Sequence, residues 1–309
     1  MSIEQLELET RCQAVEECAA IELVVQPKLK DLGGFTVNRC LPVMERRSVG
    51  PWVFFDEMGP AMLPPGSGIN VRPHPHVNLA TVTYLFDGEV LHKDSLGTFK
   101  KITPGAINLM VAGKGIVHSE REAPDRIQQS RGLYGFQLWM ALPEASEEME
   151  PEFHHYPADK IPSVAVNGVP VRVLIGRAYG VVSPVKEFYR TLYLEAQLLP
   201  GQTLELPNES ERGLYIANGE LKIRERQYSE KQMIILSDAD GVTVTALQPT
   251  TIVLIGGEKI SKRYMEWNFI SSRKERIEQA KRDWVEGKFP IVPGDEDEFI
   301  PLPGANKEY

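Results

Sequence analysis

From Gly33 to Leu142 the chain is written in short apolar runs (TVNRCL, VGPWVFF, LATVTYLF, AINLMVA, GFQLWMAL), punctuated by glycine, proline and aspartate. Strands end at such residues, because glycine weakens and proline interrupts the hydrogen-bond ladder, so this punctuation points to all-β structure. Runs of the same kind resume after Pro162 with VRVLIG, FYRTLYLEAQL, LYIANGELKI, MIILS and TIVLIGG. Between the two blocks, PEASEEMEPEFHHYPADKIP (Pro143 to Pro162) is charged and proline-rich. A domain boundary is expected there, with a first domain over residues 1–145 and a second over 146–309.

An internal similarity links the blocks. YLFDGEV (Tyr84 to Val90) reads like YIANGEL (Tyr215 to Leu221), with Gly88 and Gly219 in register between two strands. Two β-domains that share a strand–turn–strand unit favour a pair of tandem barrels over one large sheet. The last forty-odd residues differ. SSRKERIEQAKRDWVEG places Ser272 three residues before Glu275, as in a capping box, and spaces Ile277, Ala280 and Trp284 for one helix ending before Gly287. The proline-rich, acidic FPIVPGDEDEFIPLPGANKEY beyond it is expected to be an extended tail laid on the surface.

Of 309 residues, 42% are apolar and 25% charged, a balance that supports a core. The formal charge of -9 opposes the positive field that a phosphate backbone requires, so direct nucleic-acid binding is not expected. The acidic, amphipathic start does not read as a secretory signal and no apolar run reaches membrane-spanning length, so a cytoplasmic protein with no membrane partner is expected. Cys12, Cys18 and Cys40 lack the spacing of a redox or zinc motif and are read as free thiols.

The chemistry is concentrated in two pairs. In RPHPHVNLATVTY, His74 and His76 are two residues apart on a strand, and in GKGIVHSERE so are His118 and Glu120. Side chains two apart on a strand share a face, so each pair can aim at one point while Pro75 and Ser119 point away. Pro75 suits an edge strand, where no ladder donor is needed. Three imidazoles and a carboxylate match a divalent first-row ion (Fe(II), Mn, Ni, Cu or Zn), and on a six-coordinate ion they leave two positions for exogenous ligands.

The remaining histidines read differently: His92, near a turn, as a residue supporting the metal ligands or as a structural one at the surface, His154 and His155 as solvated residues of the charged linker. Asn78 shares the parity of His74 and His76, and is read either as reaching the pocket or as capping the strand end. No histidine follows His155. Shifting by the Gly88 to Gly219 offset puts Glu205 and Pro207 where His74 and His76 stand, so the second barrel is expected to lack a metal.

The stretches PHPHVNLATVTYLFDGEVLHKDSLG and ITPGAINLMVAGKGIVHSERE, with VGPWVFFDEMGP upstream and WNFISS and FPIVPGDEDEFIPLP downstream, resemble the pirin family of the cupin superfamily. The resemblance implies two cupin-type barrels, with one non-haem metal, usually iron, in the N-terminal barrel on His74, His76, His118 and Glu120. It also implies quercetin 2,3-dioxygenase activity. In the implied reaction a flavonol or similar enol would chelate the metal, Glu120 would accept its proton, and dioxygen would cleave the central ring with release of carbon monoxide. The first motif lacks the glutamate that cupins often carry after the second histidine, since Asn78, Leu79, Ala80 and Thr81 stand there. A different function in the same family is regulatory, in which the metal's redox state alters a surface read by a protein partner. A third reading makes the metal purely structural.

Overall fold

A computed structural model describes residues 12–14, 20–32, 35–124 and 126–304. Cys18 lies outside them, as does the side chain of Cys12, while Cys40 is fully buried. The chain is all-β apart from one α-helix and two short 3-10 turns among the described residues, and it forms two compact units. One unit comprises residues 1–29, 38–55 and 159–260, and the other residues 30–37, 56–158 and 261–309. The sequence reading divides the chain once, between residues 145 and 146, whereas each compact unit draws on both sides of that point. Pairing between segments remote in sequence causes the difference, and local composition does not report it.

In the unit that contains residues 56–158, nine strands matter here: β1 (Trp52–Leu63, whose first residues belong to the other unit), β2 (Asn70–His76), β3 (Leu79–Asp87), β4 (Val90–Asp94), β5 (Phe99–Ile102), β6 (Ile107–Val111), β7 (Ile116–Arg121), β8 (Arg131–Ala141) and β9 (Glu152–Tyr156). The larger sheet runs β9-β6-β3-β8-β1 and continues through strands Thr36–Leu41 and Lys28–Asp31, and the smaller one runs β2-β7-β4-β5. Leu85, Leu133 and Met58 of the larger sheet pack against Val90 and Ile102 of the smaller one. β2 is an edge strand, so Pro75, which cannot donate to a ladder, interrupts nothing.

The other unit has the same plan. Its larger sheet contains β10 (Val169–Ile175), β11 (Thr191–Leu198), β12 (Glu211–Asn218), β14 (Met233–Leu236) and β16 (Thr250–Gly257). Its smaller sheet contains β13 (Glu220–Ile223) and β15 (Thr243–Ala246). Leu194, Leu214, Ile234, Leu254, Ile223 and Val244 close the space between them.

The repeated motif forms the same turn in both barrels. Gly88 joins β3 to β4 at φ +88°, and Gly219 joins β12 to β13 at φ +87°. A side chain is excluded at both, since a Cβ would stand 2.6 Å from the Gly132 carbonyl oxygen in one barrel and 2.5 Å from that of Pro249 in the other.

The expected helix is α1 (Lys274–Val285), with Ile277 and Ala280 buried against Val77 and Phe269, and Gly287 at φ +67° ending it. The capping box does not form. Arg273 occupies the cap position without a side-chain bond, and Ser272 turns its hydroxyl and amide to Glu147, at 2.8 and 2.7 Å. A buried carboxylate is a stronger acceptor than a helix terminus needs, and Glu147 takes Ser271 as well, at 3.1 Å. The tail beyond α1 reaches back to the smaller sheet. Asp295 accepts hydrogen bonds from Ser119 Oγ at 2.6 Å and from Arg121 Nε and Nη2 at 2.9 and 2.6 Å, and the Ile300 amide donates to the Pro73 carbonyl at 2.8 Å.

Candidate metal centre

Strand β7 pairs with β2 so that His118 lies opposite His74, and Ile116 opposite His76. Alternation then aims His74, His76 and His118 to one side, and their ring nitrogens lie within 4.8 Å of one another, all three residues buried. His76 Nε2 and His118 Nε2 are 3.1 Å apart. Nitrogens about 2.1 Å from one ion and at right angles about it lie about 3 Å apart, so this spacing fits two neighbouring ligands.

The hydrogen bonds fix which nitrogens are available. His74 Nδ1 lies 2.8 Å from the Arg72 carbonyl oxygen, which only accepts, so Nδ1 carries the proton and Nε2 presents its lone pair. Around His118 the assignment passes through His92. The Asp94 carboxylate accepts from His92 Nε2 at 2.9 Å, which leaves His92 Nδ1 as acceptor for His118 Nδ1, 3.5 Å away, and frees His118 Nε2. Asp94 is itself held in the turn by the amides of Leu96 and Thr98, at 2.9 and 3.1 Å. Such outer partners orient metal-binding imidazoles and raise their basicity. The Phe153 ring stacks on His92 at 4.6 Å, and Trp139 meets His76 edge-on at 5.0 Å.

Burial keeps the three rings neutral. It is the main cause that lowers His74 to about 4, opposed by the Arg72 hydrogen bond and assisted by His92. His76 and His118 fall well below the usual range, again chiefly through desolvation and then through neighbouring imidazoles. At neutral pH the cluster offers lone pairs without first losing protons, which is the state that a cation requires.

Glu120 follows His118 on the same face, opposite Val71 and His92, after a register shift in the β2–β7 pairing. It is half-buried, and loss of hydration raises its carboxyl to about 7. It is not part of the convergent group, which consists of the three histidines.

Four other sequence expectations resolve as follows. His92 is fully inside the barrel and supports His118. The signal was present, since LHKD repeats the two-residue spacing of HPH and HSE. His154 and His155 are not in a solvated linker but half-buried on β9, His154 against Glu152 at 2.7 Å and His155 against Asn108 at 2.6 Å. The proline and charge that flank them obscure a strand that pairs with β6. Asn78 does not line the metal cluster. It caps the end of β2 at φ +60°, a left-handed conformation that asparagine tolerates, and donates to the Glu147 carbonyl at 2.5 Å. The positions offset from His74 and His76 are also explained, because Glu205 is exposed on a short strand and its carbonyl accepts from Tyr179 at 2.6 Å.

Residues 34–140 match the Pirin family and residues 193–290 the Pirin C-terminal cupin domain. A pirin-like protein of Caulobacter vibrioides is 44% identical, over 92% of this chain and 99% of its own length. Human Pirin is 29% identical over 82% of this chain and 88% of its own. The crystal structure of quercetin 2,3-dioxygenase from Acinetobacter baumannii superposes with a TM-score of 0.84 at 28% identity, covering 98% of each chain.

Proposed function

This chain belongs to the pirin family, and from that premise we propose that it is a metal-dependent dioxygenase of the quercetin 2,3-dioxygenase kind, acting on a flavonol or a similar enol that chelates the metal. The observation that carries the reading is the buried cluster of three neutral imidazoles with two Nε2 atoms 3.1 Å apart. In this reading His74, His76 and His118 would hold one divalent ion, iron(II), and Glu120, which stands outside their group, would join them as the fourth ligand when the ion is bound. The ion supplies Lewis-acid polarisation of the chelated enol and redox coupling to dioxygen.

The chain's own residues do the rest. Beside a bound cation Glu120 would be ionised, and as a carboxylate it would take the enol proton as substrate enters. Asp94 and His92 hold the His118 ring with Nδ1 protonated, so that Nε2 stays directed at the ion. Trp139 and Phe153 lay apolar surface against His76 and His92.

The test is oxygen consumption by iron(II)-loaded protein on addition of quercetin, beside a His118→Ala variant prepared in the same way. Uptake in the parent that is lost in the variant is the expected result. An absence of uptake by parent protein shown to retain its iron overturns the reading.

A further inference from the structure

Two rows of side chains cross the larger sheet of the metal-bearing barrel. In the first, Trp139 pairs with Thr81, Thr81 with Met110, and Met110 with Phe153. Trp139 and Phe153 touch His76 and His92, so this row faces the metal cluster. Two residues further along each strand, on the same face, stand Gln137, Thr83, Asn108 and His155. This second row is polar throughout. Thr83 Oγ1 donates to Gln137 Oε1 at 2.7 Å, and His155 Nδ1 lies 2.6 Å from Asn108 Oδ1.

One group in the row is left over. Asn108 is 3% exposed, and its Nδ2 has no hydrogen-bond partner among the described residues. With its Oδ1 engaged by His155, the amide keeps one unused end, and turning it over merely exchanges which end that is. A buried donor without a partner is costly, and native structures keep few of them without a role.

The second barrel supplies the control. Its equivalent row, in the same strand register, is Leu254, Leu214 and Ile234, all fully buried in the core. The shared frame therefore packs well with aliphatic residues at these positions, and the polar row is particular to the barrel with the metal cluster.

We propose that Asn108 is a specificity-determining residue, whose amide donates a hydrogen bond to an oxygen substituent of the substrate remote from its chelating oxygens. The inference rests on the dioxygenase reading and deepens it. Two residues along a strand span about 6.6 Å, close to the width of a fused ring pair, so the row selects a polyhydroxylated planar enol over a bare chelator. His155 holds the Asn108 amide, and Thr83 and Gln137, bonded to each other, continue the polar row beside it.

The experiment compares anaerobic binding of quercetin with that of 3-hydroxyflavone, which keeps the chelating oxygens and has no other hydroxyl, to the iron(II)-loaded protein. The parent is expected to prefer quercetin by roughly tenfold, the scale of one neutral hydrogen bond, and Asn108→Ala to bring the ratio to about one. Metal content, read on the same samples, is expected to stay at the parent value, with cooperative folding retained. Thr83→Val, which keeps shape and releases Gln137, is the second variant and is expected to change the ratio about threefold. If the parent binds and both variants keep its ratio, the inference about Asn108 is overturned and the dioxygenase reading stands. If the parent binds neither compound, both fall together.

Discussion

Leu214 in one barrel and Thr83 in the other occupy the same place, five residues before the glycines of a shared turn. Around Leu214 the neighbours are Ile234 and Leu254, and around Thr83 they are Asn108 and Gln137. Four residues after each glycine the contrast recurs, as Ile223 in the second barrel and His92 in the first. One frame therefore hosts two interiors. Apolar contents stabilise by removing surface from water at about 25 cal/mol per Å², whereas polar contents cost desolvation unless every group is matched. A duplicated barrel lets one copy bear that cost for chemistry while the other remains an ordinary core.

The contrast can be tested from either side. Leu214→Ala is expected to cost the second barrel about 3 kcal/mol of stability by denaturant unfolding, and to leave iron content unchanged. A loss of iron in that variant would show that the division of labour is wrong.

The metal-bearing barrel should respond instead to acid. In metal-free protein the folded pKa of His74, about 4, lies below its unfolded 6.5, so the unfolded chain binds the proton more tightly. The stability that results is fully present above pH 6.5 and is lost as pH falls towards 4, about 3 kcal/mol for this residue, with His76 and His118 acting in the same direction. Glu120 acts oppositely, since its raised carboxyl favours the folded state at low pH and loses that advantage as pH rises towards 7. Unfolding of the apo form followed between pH 7 and 4 should therefore show net loss on acidification, and a flat profile would break the comparison.

A smaller effect tests the support of His118. Asp94→Asn retains the shape of the turn but weakens the grip on His92 Nε2, and metal titration should show affinity reduced about 10- to 100-fold with folding retained. An affinity equal to that of the parent would reduce Asp94 to a turn former.

How far these features were legible depended on the range of the interactions behind them. His74, His76 and His118 follow from the two-residue period of a strand, a local rule, and the barrels follow from short runs and a repeated glycine turn. The same rule applied to LHKD places His92 and Asp94 together on one face, while the turn residues beside them leave a surface position equally open, and only the pairing of distant strands decides between the two. The capping role expected of Ser272 yields to a partner, Glu147, that is 125 residues distant and so invisible to local spacing. The interleaving of the two units was hidden for the same reason.

That interleaving bears on the order in which a ribosome delivers the molecule. The metal ligands lie between residues 74 and 118, yet their unit also takes in residues 261–309. Asp295, which grips Ser119 and Arg121 on the outer side of the ligand-bearing strand, is added after the whole second barrel has been made. The emerging chain thus receives the clasp on its metal-binding strand only after residues 159–260 of the other unit have been made.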